Sequence, residues 1–354
     1  MKDLSQLSED EEAYIQAKHM KSSVVRTVIM QAAINLDLLE ILAKSGPDAS
    51  LSAVEISSQL PTTNPNAPAM VDRILSILTT YSVVSCCLKF SSDGKPERFY
   101  GLTPLCKFLI KNENGGSLTG FAKHGFQHWF WLKEAVLEGG DPWSKAYSMS
   151  MYEKFSKDPD RGKWFNQIMK QDTLLVMNEL LKNYAGFETV TSLIDLGGGT
   201  GTAISLIVSK HPNIKGINFD QPNVIKQAPS FPGVEHVGGN IFERIPKADA
   251  IFMKTVCHNW GDNKCVKLLK NCYDAIPDDG KMILMDVVLP QVPMNSMKTK
   301  IQCLHDANML LLTREGRERT LQDFEFLAKT AGFHHVRFAC PVFDLSVIEL
   351  LKKP

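Results

Sequence analysis

Between Glu11 and about Ile110 the apolar positions recur mostly at helical spacing. The stretch "MQAAINLDLLEILAKSGPDASLSAVEISSQL" predicts one helix, a stop at Gly46-Pro47 and a second helix opening after Ser52. A third is expected in "NPNAPAMVDRILSILTTYSVV", behind two prolines. "CLKFSSDGKPERFYGLT" then changes to two short extended runs around Asp93-Gly94, a dipeptide that favours a tight hairpin. Helices followed by a hairpin form a winged-helix-like module. Gly120 to Tyr184 reads as helical and rich in Trp, Phe and Met, and "WFNQIMKQDTLLVMNELLKNY" sets Phe165, Met169, Thr173 and Val176 on one face. From Thr191 short apolar runs alternate with amphipathic helices, with strands at "SLIDLG", "KGINFD", "VEHVGG", "AIFMKTV", "KMILMDVVL", "HHVRFACPV" and "SVIELL". That texture is doubly wound α/β, closed by a β-hairpin. Two domains are expected: residues 1–118, helical and winged-helix-like, and residues 119–354, helices followed by a Rossmann-like fold.

Charge narrows the classes of partner. Lys+Arg and Asp+Glu both number 39, so the basic surplus of a phosphate-tracking nucleic-acid binder is missing. The helix expected in "AMVDRILSILTTYSVV" carries one Arg and one Asp, which suits packing or dimerisation better than DNA recognition. "VVRTVIMQAAINLDLLEILAKSG" is broken by Arg26, Asn35 and Asp37 and is too polar to span a bilayer. "MKDLSQLSEDEEAYIQAKH" has no apolar targeting core. Eight cysteines without a C-x-x-C pair read as reduced, mostly buried thiols, and a cytoplasmic protein without a membrane partner is expected.

"LIDLGGGTGTAISLIVSKHP" is strand, glycine-rich turn and helix, a geometry that brings backbone close to a ligand at the carboxyl ends of the strands. Gly197, Gly199 and Gly201 make G-x-G-x-G, and Thr202 stands where the dinucleotide pattern has its third glycine. Asp195, two residues before the first glycine, suits a cationic ligand better than a pyrophosphate. Nineteen residues after Gly201 a strand ends in Asp220, placed to accept ribose hydroxyls, and twenty further on the next ends in Gly-Gly-Asn240, placed for an adenine edge with Ile241 against the ring. Asp195, the glycines, Asp220, Asn240 and then Lys254 point to S-adenosyl-L-methionine (SAM) rather than NAD.

"MKTVCHNWGDNKC" leaves three readings open for His258: metal ligand, catalytic base, or strand cap. The metal reading is the weakest. Cys257 and His258 would project oppositely from an extended chain, Cys265 and Cys272 lie seven apart on a helix at core spacing, and no C-x-x-C or H-x-x-H partner is near.

Over nearly its whole length the chain resembles the plant caffeic acid-type small-molecule O-methyltransferases. The motifs that carry the resemblance run from "LLEILAKSGPDASLSAVEISSQLPTTNPNAP" through "GVEHVGGN" and "LLKNCYDAIPDDGK" to "RERTLQDFEFLAKTAGF". The resemblance implies a homodimer without a metal, an N-terminal dimerisation domain, a Rossmann-like SAM domain and a small aromatic acceptor: a phenylpropanoid, flavonoid or alkaloid. It assigns the cofactor to Gly197, Asp220, Gln221, Asn240, Ile241, Lys254 and Thr173. It makes His258 the general base, bracketed by Asp286 and Glu318. It puts Phe165, Met169, Asp172, His305, Asn308, Met309 and Thr313 around the acceptor.

Several positions depart from the family pattern. Asn240 and Asn259 replace a usual Asp, and Asp286 replaces a usual Glu and is one methylene shorter. Asp172 stands for His, His305 and Asn308 for apolar residues, and Thr313 for Asn. A shortened "FAKHGFQHWFW" brings in His124, His128 and Trp131. An acidic, histidine-bearing pocket predicts a polar or basic acceptor, such as an alkaloid, rather than caffeate. The competing functions are N-methyl transfer to an aromatic amine, a SAM-binding pocket repurposed for cyclisation or isomerisation, and a nicotinamide oxidoreductase.

Overall fold

The computed structural model describes residues 7–90, 94–120 and 127–353. The chain divides into two compact units, residues 1–125 and 126–354.

In the first unit the expected opening helix is two helices, Ser23–Asn35 and Leu38–Lys44. Asp37 breaks them apart with φ 51, the left-handed region that Asp tolerates better than most residues. The helix after Ser52, Ala53–Ser57, opens on a reciprocal cap: the Ser52 hydroxyl accepts from Glu55 N–H, and Glu55 accepts from Ser52 N–H. Pro68 lies in the first turn of Ala67–Thr80, where its missing N–H leaves no bond unmade. Strands β1 (Ser50–Ser52), β2 (Val84–Phe90) and β3 (Pro96–Leu102) form an antiparallel sheet in the order β1-β3-β2. The β2–β3 hairpin runs from Val84↔Leu102 to Phe90↔Pro96, while Asp93 of the expected turn lies outside the described residues. Leu38, Leu42, Ile56, Leu75, Leu78 and Tyr100 fill this unit's core, and the Tyr100 hydroxyl donates to Asp72 at 2.6 Å. Val24, Val25 and Val28 remain exposed on one helix.

The second unit carries β4 (Ser192–Leu196), β5 (Lys215–Asp220), β6 (Val234–Gly238), β7 (Ala250–Lys254), β8 (Lys281–Leu289), β9 (Arg319–Thr320), β10 (His335–Val342) and β11 (Leu345–Leu351). They form one sheet in the order β10-β11-β8-β7-β4-β5-β6, with β9 paired to β8. Strands β4 to β8 run parallel, and β11 and β10 are antiparallel additions. One face packs on the helices Asp262–Ala275 and Leu321–Ala331, the other on Pro159–Asn183 and Thr202–Lys210. The strand order reverses between β4 and β7, and crevices for ligands open at such points, beyond the carboxyl ends of the strands.

All eight cysteines are free, but only Cys106, Cys257, Cys265 and Cys272 are buried; Cys340 is half-buried and Cys86, Cys87 and Cys303 are exposed, so "mostly buried" holds for half of them. His124 of the shortened segment lies outside the described residues. No helix among the described residues is long and apolar enough to cross a membrane.

Gly216 shows how closely the layers approach. A Cβ there would lie 2.8 Å from Ile204 Cγ1 and from Val208 Cγ2. Overpacking of this kind costs about 1–3 kcal/mol. Gly216→Ala is therefore expected to lower the urea midpoint with an unchanged slope, and an unaltered midpoint would refute the close packing.

Candidate active site

The glycine turn after β4 is shaped by what lies beneath it. Gly197 has φ 72, and a Cβ on it would sit 2.7 Å from Val256 Cγ2. A Cβ on Gly198 would collide with the Asp195 carboxylate and the Asn218 amide. The turn is tied to the neighbouring strand twice: Gly199 N–H donates to Asp220 Oδ2 at 2.8 Å, and Asn218 Nδ2 donates to the Gly199 carbonyl at 3.0 Å. The other Asp220 oxygen accepts from Gln221 N–H at 2.6 Å.

A cavity of about 710 Å³ opens over this turn. Gly197, Asp220, Gln221, Asn240, Ile241, Lys254 and Thr173 all line it. Phe165 and Met169 of the expected acceptor set line it too, which turns the apolar stripe on Pro159–Asn183 into a cavity wall. Asn240 is engaged within its own loop: its carbonyl oxygen accepts from Phe242 N–H at 3.0 Å and its amide donates to Glu243 at 2.9 Å. Tyr152, Phe242 and Trp260 also line the cavity and were not anticipated. The Tyr152 ring stacks on Trp260 at 6.3 Å and 15°, and Phe242 meets Trp260 edge-on at 5.0 Å. The sequence signal was the tryptophan two residues after His258, in a motif read for its polar groups.

The chemistry of this lining suits a cationic nucleoside ligand. Asp195 and Asp220 lie at the turn, and burial pushes the Asp195 carboxyl up to about 7, against the opposing effects of the Ile204 N–H and the Lys254 charge. Two carboxyl groups would repel a pyrophosphate, whereas a sulfonium or ammonium favours their ionised form. The aromatic faces match a purine.

The expected catalytic trio is brought together from three separate segments. His258 stands in a single 3-10 turn, Cys257–Asn259, four residues beyond β7, and not on an extended chain as the sequence reading had it. Its Nδ1 lies 2.8 Å from Glu318 Oε1. An ionised carboxylate can only accept, so the contact fits Nδ1–H as the donor to Glu318. Donor atoms of His258, Asp286 and Glu318 all lie within 4.8 Å of one another. Asp286, on β8, is fully buried, and neither of its oxygens has a hydrogen-bond partner. The cysteines take no part: the Cys265 thiol donates to the Cys257 carbonyl at 3.2 Å, and Cys265 and Cys272 are both core residues.

Three of the polar residues expected around the acceptor, Asp172, His305 and Thr313, have partners within the protein. Asp172 pairs with Lys254 Nζ at 3.3 Å. His305 pairs with Asp344 at 2.8 Å, a contact that raises the His305 pKa. The Thr313 hydroxyl donates to the Met309 carbonyl at 2.8 Å and accepts from Gly316 N–H at 3.0 Å. Met309 is buried and Asn308 half-buried on the helix Met297–Leu312. His128 is buried against Trp143 at 4.9 Å, and burial lowers its pKa to about 4.

Burial also pushes the Asp286 carboxyl up to about 7, with the His258 charge opposing and the Glu318 charge adding to the rise. The native state therefore holds this proton where the unfolded chain, titrating near 4, has lost it. The stability gained is complete below that value and is lost as the pH rises towards 7. Asp286→Asn should gain stability over the parent across this interval, by roughly 2–4 kcal/mol above pH 7. A stability difference that stays flat from pH 4 to 8 would show that Asp286 is ionised in the folded protein.

Comparison with known proteins agrees with this arrangement. Residues 129–334 match the O-methyltransferase domain, and residues 18–112 match the O-methyltransferase dimerisation domain. Caffeic acid 3-O-methyltransferase 1 of Populus tremuloides is 51% identical over 349 residues, covering 97% of this chain and 96% of that protein. The caffeic acid 3-O-methyltransferase of Prunus dulcis is 50% identical with the same coverage. Among solved structures, human N-acetylserotonin methyltransferase in complex with SAM superposes with a TM-score of 0.82 over 98% of this chain and 99% of that one, at 21% identity. A methyltransferase of calicheamicin biosynthesis in its S-adenosylhomocysteine-bound form reaches 0.76 over 98% and 99%, at 20% identity. With half of its residues shared along almost the full length of these plant enzymes, and with the glycine cradle and its acidic flank in place, the chain belongs to the SAM-dependent O-methyltransferase family of the plant caffeic acid type.

Proposed function

We propose that this enzyme methylates a phenolic hydroxyl of a small aromatic plant metabolite, with His258 as general base and without a metal. The observation that carries the reading is the 2.8 Å contact between His258 Nδ1 and Glu318, which leaves Nε2 free to take a proton. When bound, SAM supplies an electrophilic sulfonium methyl group. The cofactor residues we assign are Gly197, Asp220, Gln221, Asn240, Ile241, Lys254 and Thr173, all on the cavity wall, with Trp260 and Tyr152 as aromatic faces. Phe165 and Met169 hold the acceptor ring. The first domain, about residues 1–118, joins two copies of the chain.

Glu318 keeps the imidazole in one tautomer and stabilises its protonated form. A phenol with a pKa near ~10 is about three units from neutral pH, roughly 4 kcal/mol. General base assistance typically contributes ~10²–10⁴-fold, and orientation of the reactants about 7–11 kcal/mol. Positioning is the larger share, so a variant without the base keeps measurable turnover. The charged acceptor pocket expected from the sequence loses its support, because Asp172 and His305 are each paired with an opposite group. A neutral phenol fits this pocket better than a cationic alkaloid. The chain's half identity to enzymes named for caffeic acid sets the starting point of the search at phenylpropanoids.

A screen of phenolic acceptors with methyl-labelled SAM, read by mass, identifies the substrate. Amino and hydroxy versions of one acceptor then separate N- from O-transfer. No gain of methyl mass with any acceptor would remove the proposal. His258→Ala should lose about 10²–10⁴-fold in turnover with unchanged SAM affinity, and full activity would reassign the base. Metal independence is part of the proposal and has its own test. Dialysis against EDTA should leave turnover unchanged, and its loss with recovery on adding Zn²⁺ would instead make His258, Asp286 and Glu318 a ligand set.

A further inference from the structure

The turn that carries His258 is gripped from behind by one side chain. Arg319 is 1% exposed, with its guanidinium fully enclosed. Its Nη1 donates to the Cys257 carbonyl at 3.0 Å and to the Arg317 carbonyl at 3.3 Å. Its Nη2 donates to the Trp260 carbonyl at 2.8 Å. Nη2 and Nε both reach Asp262 Oδ1, at 2.7 and 3.2 Å. The residues just before and two after His258 are thus fixed to one rigid planar group, and Asp262 closes the far end of the turn. The neighbouring residue, Glu318, sends its carboxylate to the imidazole itself. Glu318 and Arg319 therefore hold His258 from its ring and from its backbone. Gly316 completes the grip, since a Cβ on it would run into the His258 carbonyl oxygen.

The same segment is tied to the helix Met297–Leu312. Glu318 N–H donates to Asp306 at 2.9 Å, and Thr313 links the Met309 carbonyl to Gly316 N–H. The backbone carrying the base and the helix carrying Met309 are thereby referred to one short stretch, residues 313–319. A buried guanidinium with a single carboxylate partner, itself 44% exposed, is a poor source of stability, because desolvation offsets much of the attraction. Its five donors in a fixed plane are well suited to setting geometry, and a lysine ammonium cannot reproduce them.

We propose that Arg319 is a positioning residue for the methyl-transfer step: it sets where the His258 imidazole stands and acts on turnover only through that residue. The inference rests on the reading of His258 as the base.

A double-mutant cycle on the full-length enzyme tests it. Misplacement of a reacting group by about 1 Å can cost ~10²-fold. Arg319→Lys should therefore lower kcat by about 10–100-fold in the parent. It should leave SAM affinity by calorimetry and the KM for SAM unchanged. Placed on His258→Ala, the same change should cost less than about 2-fold, because the group it positions is gone. Equal losses in both backgrounds, weakened SAM binding, or unchanged kcat in the parent would each overturn the proposal. If Arg319→Lys does not fold, Asp262→Asn takes its place: it removes the charge of the guanidinium's partner while leaving an acceptor oxygen, and should give the same non-additive pattern at smaller amplitude, additivity again being the refuting result. Full turnover of His258→Ala by itself is a different outcome. It would refute the base assignment beneath the proposal, and it is read before Arg319 is touched.

Discussion

Parallel pairing on both sides of β4 is the constraint on which the cofactor side depends. Asp195 pairs with Asn218 of β5 and with Phe252 of β7, so the three strands deliver their carboxyl ends to one edge in register. The glycine turn, Asp220 and Lys254 are neighbours for that reason, although fifty-seven residues separate Gly197 from Lys254. The turn adds conformations that other residues resist. Gly197, Gly199 and Gly201 all have positive φ, and Gly198 has a carboxylate and an amide directly beneath it. A side chain at Gly197, Gly198 or Gly201 would collide with what lies beneath the turn, and at Gly199 it would meet only the cost of the positive φ.

The second constraint is electrostatic. Asp195, Asp286, Glu318 and Arg319 are all nine-tenths or more buried, and each would be costly alone. Only some are compensated by a partner. Arg319 has Asp262 and three carbonyls, and Glu318 has the imidazole and sits next to Arg319 in the chain. Asp286 has no hydrogen bond and adjusts its protonation instead, as burial favours its neutral form. With its carboxyl raised to about 7, it is only partly ionised near neutrality, beside the His258 imidazole.

Much of the second unit was legible in the sequence because its signals are local. Strands such as "SLIDLG" and "KMILMDVVL" are short apolar runs, and the glycine spacing marks its own turn. The eight strands include one that was not anticipated, β9, two residues long, which forms only because β8 is there to receive it. The break at Asp37 was missed for a similar reason: the apolar rhythm continues across it, and only a backbone angle distinguishes one helix from two. At the site, positions on strand ends followed from spacing. Pairings did not. That Asp172 meets Lys254 across eighty-two residues, or His305 meets Asp344 across thirty-nine, is set by tertiary packing. The sequence reading counted those side chains as free pocket charge for that reason.

Those pairings also bear on how such an enzyme changes acceptor. A charged residue introduced into a pocket is tolerated when an opposite group stands nearby, and the pocket then presents a neutral pair instead of a charge. Lys254 is nearly enclosed, and Asp172 reaches it from the facing helix. The pair joins β7, beside the glycine cradle, to the helix that supplies Phe165 and Met169. A substitution at position 172 therefore acts on two things at once, the charge on that helix and the freedom of a cavity-lining lysine. The two elements are physically linked at this contact, so changes at residue 172 cannot be read as local chemistry alone.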